Sequence, residues 1–277
     1  MGTPMAANLA RAGRAVAVWN RTPAKAQGLG AEVAETPAAA ARSAEAIGIV
    51  VTDDQAVESV LEGPDGVLAG LEPGALVVDL TTTSVASKRR SAERVRAAGG
   101  RFVDSPVFGS RPQAEQGALW AVVGADEADL PAAEEFLGPL TEGVLHVGEV
   151  GAGAAVKLAG NLLLFAMLNG LAEAIAFTEA HGIDPAHLVE VVGRTGFRSP
   201  YFDVKGKQMM EGDYAPRFAV DNAVKDLRLI VEAAEAVGLR LTSSEATKAL
   251  FEETSAAGFG AEDMTALVKA LRRESKP

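Results

Sequence analysis

The feature that most constrains this chain is a run of about twenty residues, Leu158 to Phe177, made almost entirely of Leu, Ala, Phe, Met and Ile and opened by the glycine-bearing stretch Gly151 to Asn161. A helix apolar on nearly every side has to be buried, so the spacing predicts a central helix over about Ala154 to Ala180, on the order of 40 Å long at 1.5 Å per residue. Two polar side chains interrupt its start. Lys157 and Asn161 lie four residues apart and so share a face, with Asn169 two further turns along. Buried polar groups need partners, and a substrate can be one. The alternative is a Lys157 in the first helical turn with its head in water.

The run is also about long enough to cross a bilayer. Asn161, Asn169 and Glu173 would be costly in lipid, and the flanks carry no basic cluster. No membrane is therefore expected, and the helix should be buried on all sides, in part by a second subunit. The net charge of -11 argues against a phosphate-backbone partner, so no nucleic acid is expected either. The densest basic run, Lys88 to Arg90, reads as a solvated helix face. The absence of cysteine rules out disulfides and thiolate chemistry. His146, His181 and His187 lack metal-ligand spacing, and no metal is expected. No basic-then-apolar leader is legible, and a cytoplasmic setting is expected.

The 277 residues suit two domains. Up to about residue 150, short apolar runs alternate with helical stretches. The strand-like runs are Ala15 to Asn20, Ala46 to Val51, Ala75 to Thr81, Arg101 to Asp104, Leu119 to Val123 and Val144 to Val147. A first helix is bounded by Pro4 and Gly13, and others cover Gln55 to Leu61, Ser84 to Ala98 and Asp129 to Leu137. This alternation predicts an α/β domain with a mostly parallel, doubly wound sheet covered on both faces. Beyond Gly153 every periodic segment is helical, so 151–277 should be an all-α domain around the central helix.

In a doubly wound sheet, ligands bind outside the carboxyl ends of the strands. Asn20, Arg21 and Thr22 follow the first strand, where an acidic side chain would favour NAD. Asn and Arg there remove a repulsion for a 2′-phosphate and supply a guanidinium, which points to NADP(H); the plain alternative is a surface arginine. Thr81, Thr82 and Thr83 follow another strand, either to contact a nicotinamide ribose or substrate carboxylate, or to cap the helix beginning near Ser84. Asp104 to Pro112 is a strand end running into a turn, where backbone N–H groups and Ser110 can hold an anion, or which is a plain loop.

Together with the Lys157 helix, these stretches make the chain resemble the β-hydroxyacid dehydrogenase family, which includes 3-hydroxyisobutyrate dehydrogenase and the glyoxylate and succinic semialdehyde reductases, with an NAD-binding domain of the 6-phosphogluconate dehydrogenase type. The likeness spans essentially all 277 residues. Met1 to Leu9 resembles the end of the family's glycine-rich cofactor loop, Asp104 to Gly117 its substrate motif, Gly151 to Asn161 its catalytic motif and Lys225-Asp226 its late Lys-Asp pair. The stretches Val18 to Thr22, Pro112 to Gly117 and Gly212 to Pro216 are closest to the reductase branch.

The resemblance implies a Rossmann-like first domain and a helical second one that binds substrate and dimerises, in a homodimer or homotetramer. It implies NADPH-dependent reduction of a short aldehyde or oxo acid, or hydroxyacid oxidation in reverse, with Lys157 as general acid and Asn161 beside it. Thr82, Phe108, Gly109, Ser110, Phe218 and Asp226 would meet substrate. Gly2, Thr3, Met5, Asn20, Arg21, Thr22, Val51, Thr52, Thr82 and Lys225 would meet the cofactor. Two departures stand out. Phe108 occupies the family's usual serine position, which puts an apolar wall in place of a hydroxyl and brings imine reduction into view. The family's first strand and the two earlier loop glycines have no counterpart before Met1, which sets the expectations of a domain lacking its first strand, of a late start or shortened chain, and, as an alternative function, of a catalytically impaired dimeric paralogue.

Overall fold

The computed structural model describes residues 1–274, in two compact units, Met1–Leu158 and the residues from Ala159 on. In the first unit the strands are β1 (Ala17–Val18), β2 (Glu32–Val33), β3 (Ala46–Ile49), β4 (Leu76–Asp79), β5 (Arg101–Asp104), β6 (Val107–Phe108), β7 (Leu119–Gly124) and β8 (Thr141–Gly148). The helices are α1 (Gly2–Arg11), α2 (Pro37–Ala41), α3 (Asp54–Glu62), α4 (Val67–Gly70), α5 (Val85–Ala97), α6 (Arg111–Gln116) and α7 (Leu130–Leu137).

β3, β4 and β5 run parallel, β7 lies antiparallel to both β5 and β6, and β8 is parallel to β7. The expected mostly parallel sheet is thus mixed at one side. There β5 and β6 lie along one edge of β7, interrupted at Ser105-Pro106, where the Pro106 carbonyl still accepts from Val122 N–H. β1 pairs only with β2, apart from this sheet. With a single short partner, the run expected over Ala15 to Asn20 keeps just two residues in register.

β4 is buried at all four positions. Leu76 and Val78 join a cluster with Met5, Val103, Leu119 and Leu137, while Val77 joins another with Val57, Leu61, Val95 and Phe102. Alternate residues of one strand feeding two separate cores is the mark of a sheet covered on both faces. α6 corrects an expected turn. Pro112 sits in its first turn, Gln113 reaches back to Ser110, and Gly117 takes the left-handed conformation after its last residue. Pro and Gly here bound a helix.

α8 (Ala152–Ala180) starts in the first unit and continues as the central element of the second. It is followed by α9 (Pro185–Gly193), α10 (Pro200–Glu211), α11 (Val220–Glu235), α12 (Thr242–Thr254) and α13 (Leu267–Glu274). α12 runs on into a π-helical turn over Ser255–Phe259, where Gly258, at φ 94°, breaks the path toward α13. α8 is not buried on all sides by its own chain. Phe165, Leu168, Ala172 and Ile175 form its covered face, whereas Leu163, Ala166, Gly170, Glu173 and Phe177 make an exposed stripe. Leu163 is 61% and Phe177 67% exposed.

Candidate functional site

The start of α8 is fixed by glycine and by one carboxylate. Gly151 has φ 99°, a conformation that side chains rarely adopt. A Cβ on Gly153 would lie 2.8 Å from the Val122 carbonyl oxygen and 2.9 Å from that of Asp104, so this turn presses onto the sheet as only glycine allows. Asp104, buried at the end of β5, accepts N–H groups from Gly151 at 3.1 Å and Ala154 at 2.8 Å. A side chain remote in sequence thus satisfies two of the donors at the helix start, while the Ala152 N–H goes to the Glu149 carbonyl. Burial pushes the Asp104 carboxyl above its usual range, against the pull of Lys88 and of the Ala154 N–H.

One turn on, Lys157 is 9% exposed, with Nζ 4.2 Å from the centre of the Phe108 ring. Its head therefore does not lie in water, and an aromatic face covers part of it. Phe108 comes from β6, opposite Trp120 of β7. Gly109 has φ 118°. Ser110 directs both its N–H and its hydroxyl to Gln113 Oε1, so it is engaged in starting α6.

After β4 the three threonines have different environments. Thr81 is buried, its N–H on Asp79 and its hydroxyl linking the Ile49 carbonyl and the Val51 N–H. Thr83 is also buried, while Thr82 is half-buried. Capping of α5 falls to Ser84, which accepts from Ser87 N–H.

For a nicotinamide dinucleotide, α1 offers a first turn with no acidic residue and no side-chain cap, and Gly2 stands beside Val50 just beyond β3. Such a helix start suits a pyrophosphate. Thr3, Asn20, Arg21, Thr22 and Thr52 are exposed, and Asn20 accepts from Thr22 N–H. This set fits the group. Met5 turns its side chain into the core at 3% exposed, so contact from it would be through the backbone. Val51 donates its N–H to Thr81. Among the described residues no cluster of His, Cys, Asp and Glu suits a metal ion.

In the second unit Asn161 is 3% exposed and donates to Asp226 Oδ2 at 2.7 Å, while Lys225 lies 2.7 Å from Asp226 Oδ1. Asn161, Lys225 and Asp226 are thereby brought together. Asn169 is not part of that group, because it donates to Glu173. Phe218 packs on Phe165 with ring centres 6.1 Å apart. Its N–H and that of Arg217 reach Asp263 Oδ2, whose other oxygen accepts Lys205 at 2.9 Å. Burial alone would raise the Asp263 carboxyl; Lys205 and the N–H groups of Thr265 and Phe218 hold it below its usual range.

Two charged knots escaped the sequence reading. Lys88 is fully buried, with Nζ 2.8 Å from Asp79 Oδ2 and 3.4 Å from Asp104 Oδ1, and is no part of a solvated face. The signal was present, since Lys88, Ala92 and Val95 fall at i, i+4 and i+7, the buried spacing of α5. The Lys205–Asp263 pair joins segments 58 residues apart and left no local signal.

Residues 1–148 match the NAD binding domain of 6-phosphogluconate dehydrogenase, and 151–271 match the NAD-binding domain of NADP-dependent 3-hydroxyisobutyrate dehydrogenase. The chain is 33% identical to glyoxylate/succinic semialdehyde reductase 2, chloroplastic, of Arabidopsis thaliana, over 98% of this chain and 77% of that protein. A 3-hydroxyisobutyrate dehydrogenase from Salmonella typhimurium superimposes with a TM-score of 0.87 at 30% identity, covering 97% of this chain and 95% of the other. Psf3, solved in complex with NADP+ and 2-OPP, gives 0.86 at 26% identity, covering 98% and 96%.

Proposed function

We propose that this chain, which belongs to the β-hydroxyacid dehydrogenase family and is an NAD(P)-dependent oxidoreductase, is an NADP(H)-dependent reductase of short aldehydes or oxo acids, of the glyoxylate or succinic semialdehyde kind, and in reverse a 3-hydroxyacid dehydrogenase. The observation that carries it is the buried ammonium of Lys157, held at the start of α8 with Phe108 across it. Support for NADP(H) comes from exposed Asn20 and Arg21 where an acidic side chain would favour NAD, and from the NADP+ named for Psf3.

A bound nicotinamide supplies or accepts the hydride. Lys157 keeps a proton at Nζ and passes it to the oxygen of the reduced carbonyl; in the oxidative direction the neutral amine takes the hydroxyl proton back. The Phe108 ring shields that head from water, which strengthens its action on a developing oxyanion. By the family resemblance Asn161 is assigned to orienting the acid or the substrate, Phe218 and Asp226 to the substrate, Thr82 and Gly109 to the substrate carboxylate, which Ser110 would reach by leaving Gln113, and Lys225 to the cofactor. Phe108 in place of a hydroxyl favours one second reading, reduction of an imine, for which a screen of cyclic imines beside glyoxylate and succinic semialdehyde decides. The exposed apolar stripe of α8, with Leu163 and Phe177, supports a homodimer or homotetramer.

Lys157→Ala should lower kcat/KM by about a thousandfold, from loss of an oxyanion partner in a dry site. NADPH binding, followed by fluorescence, should persist. Full activity in the variant would remove Lys157 from the chemistry.

A further inference from the structure

α5 carries three consecutive basic residues, of which Arg89 and Arg90 are exposed and Lys88 is not. The Lys88 ammonium has three donors, and three acceptors surround it: Asp79 Oδ2 at 2.8 Å, the Asp79 carbonyl at 2.9 Å and Asp104 Oδ1 at 3.4 Å. Each carboxylate uses its other oxygen on a different segment. Asp79 Oδ1 accepts from Thr81 N–H at 2.9 Å, at the root of the loop that carries Thr82. Asp104 Oδ2 accepts from Gly151 and Ala154, at the root of the turn that carries Lys157. One ammonium therefore stands where the two segments are tied to the sheet.

As a stability device this arrangement is poor. Two carboxylates and one ammonium are fully buried, leaving an excess negative charge in the core. Apolar side chains of similar volume would serve the core as well or better. What they would not supply is a pair of fixed acceptors at strand ends, pointing to two loop roots at once. We propose that Lys88 is a positioning residue: it holds the Asp104 and Asp79 carboxyl groups in place at the strand ends and so sets where Lys157 and Thr82 present their side chains. The proposal rests on the reading of Lys157 as the general acid. Burial drives Asp104 toward its protonated form, and Lys88 opposes this directly. Without Lys88 that opposition is lost and burial weakens Asp104 as an acceptor for the Gly151 and Ala154 N–H groups.

The test uses the whole chain with NADPH and the best carbonyl substrate found. Lys88→Met is made alone, and again with Asp79→Asn so that one of the two carboxylates left without its cation is neutralised and the protein folds. Displacements of an ångström at a catalytic group cost on the order of a hundredfold, so kcat per NADPH-binding site should fall about tenfold to a hundredfold. The Kd for NADPH should change less than kcat, by about threefold at most, since Lys88 and Asp79 touch none of its assigned contacts and reach the cofactor only indirectly, through the segment of Thr82. In a Lys157→Ala background the Lys88 change should cost much less than in wild type, because only the part that acts through Thr82 remains. Wild-type kcat in the double variant, or an undiminished further loss in the Lys157→Ala background, overturns the proposal. Full activity of Lys157→Ala by itself instead overturns the general-acid reading, and the two failures are separate measurements.

Discussion

At the level of single residues, Lys157 and Asn161 show what spacing can and cannot give. Their separation by itself places both on one helix face, and both are buried. The partners came only from the fold: Phe108 for Lys157, and Asp226, 65 residues away, for Asn161. Arg21 is the residue that tests the proposed preference for NADP(H). Its guanidinium is exposed behind β1, where it can pair with a 2′-phosphate and has nothing comparable to meet on NADH. Arg21→Ala should therefore raise the Kd for NADPH about tenfold or more while changing that for NADH by less than about twofold, read by fluorescence titration of both. Equal changes would move the 2′-phosphate contact elsewhere.

Among the elements, the start of α8 is the most constrained. Its glycines are needed for different reasons, Gly151 for its positive φ and Gly153 for its approach to the Val122 and Asp104 carbonyls. Gly153→Ala should cost about 1–3 kcal/mol, the usual range for forced overpacking, and should lower activity along with the melting temperature. In the second unit, the segment holding Phe218 is tied down by Asp263. That carboxyl titrates below its unfolded value, so the stability it contributes is present above the unfolded pKa and is lost as pH falls through the folded one. The melting temperature should drop below about pH 4, and less steeply in Asp263→Asn, which starts from a lower value. Asp104 has the opposite sign: its raised pKa gives stability that is complete below the unfolded value and declines as pH rises through the folded one. An acid-limb slope unchanged in Asp263→Asn would remove the first of these assignments.

For the whole molecule, the exposed stripe of α8 sets the expectation. Two large apolar side chains open to solvent on a central helix support the proposed homo-oligomer, in which a second copy would cover them. Leu163→Glu with Phe177→Glu should shift the protein toward the monomer in light scattering at micromolar concentration. A wild-type chain already monomeric under those conditions would end the proposal of a homo-oligomer. By itself the sequence determined the alternation of strands and helices, the helical second half, the family and the shared helix face of Lys157 and Asn161, because these are written in periods of two and 3.6 and in spacings within a turn or a loop. Tertiary structure decided which members of a local set do what: Lys88 inside and Arg89 and Arg90 outside, Thr81 structural, Ser84 the cap, Ser110 turned to Gln113. It also turned the far side of the sheet antiparallel at β7. These outcomes depend on partners dozens of residues away and on the cost of burying a charge without one, which no local pattern encodes.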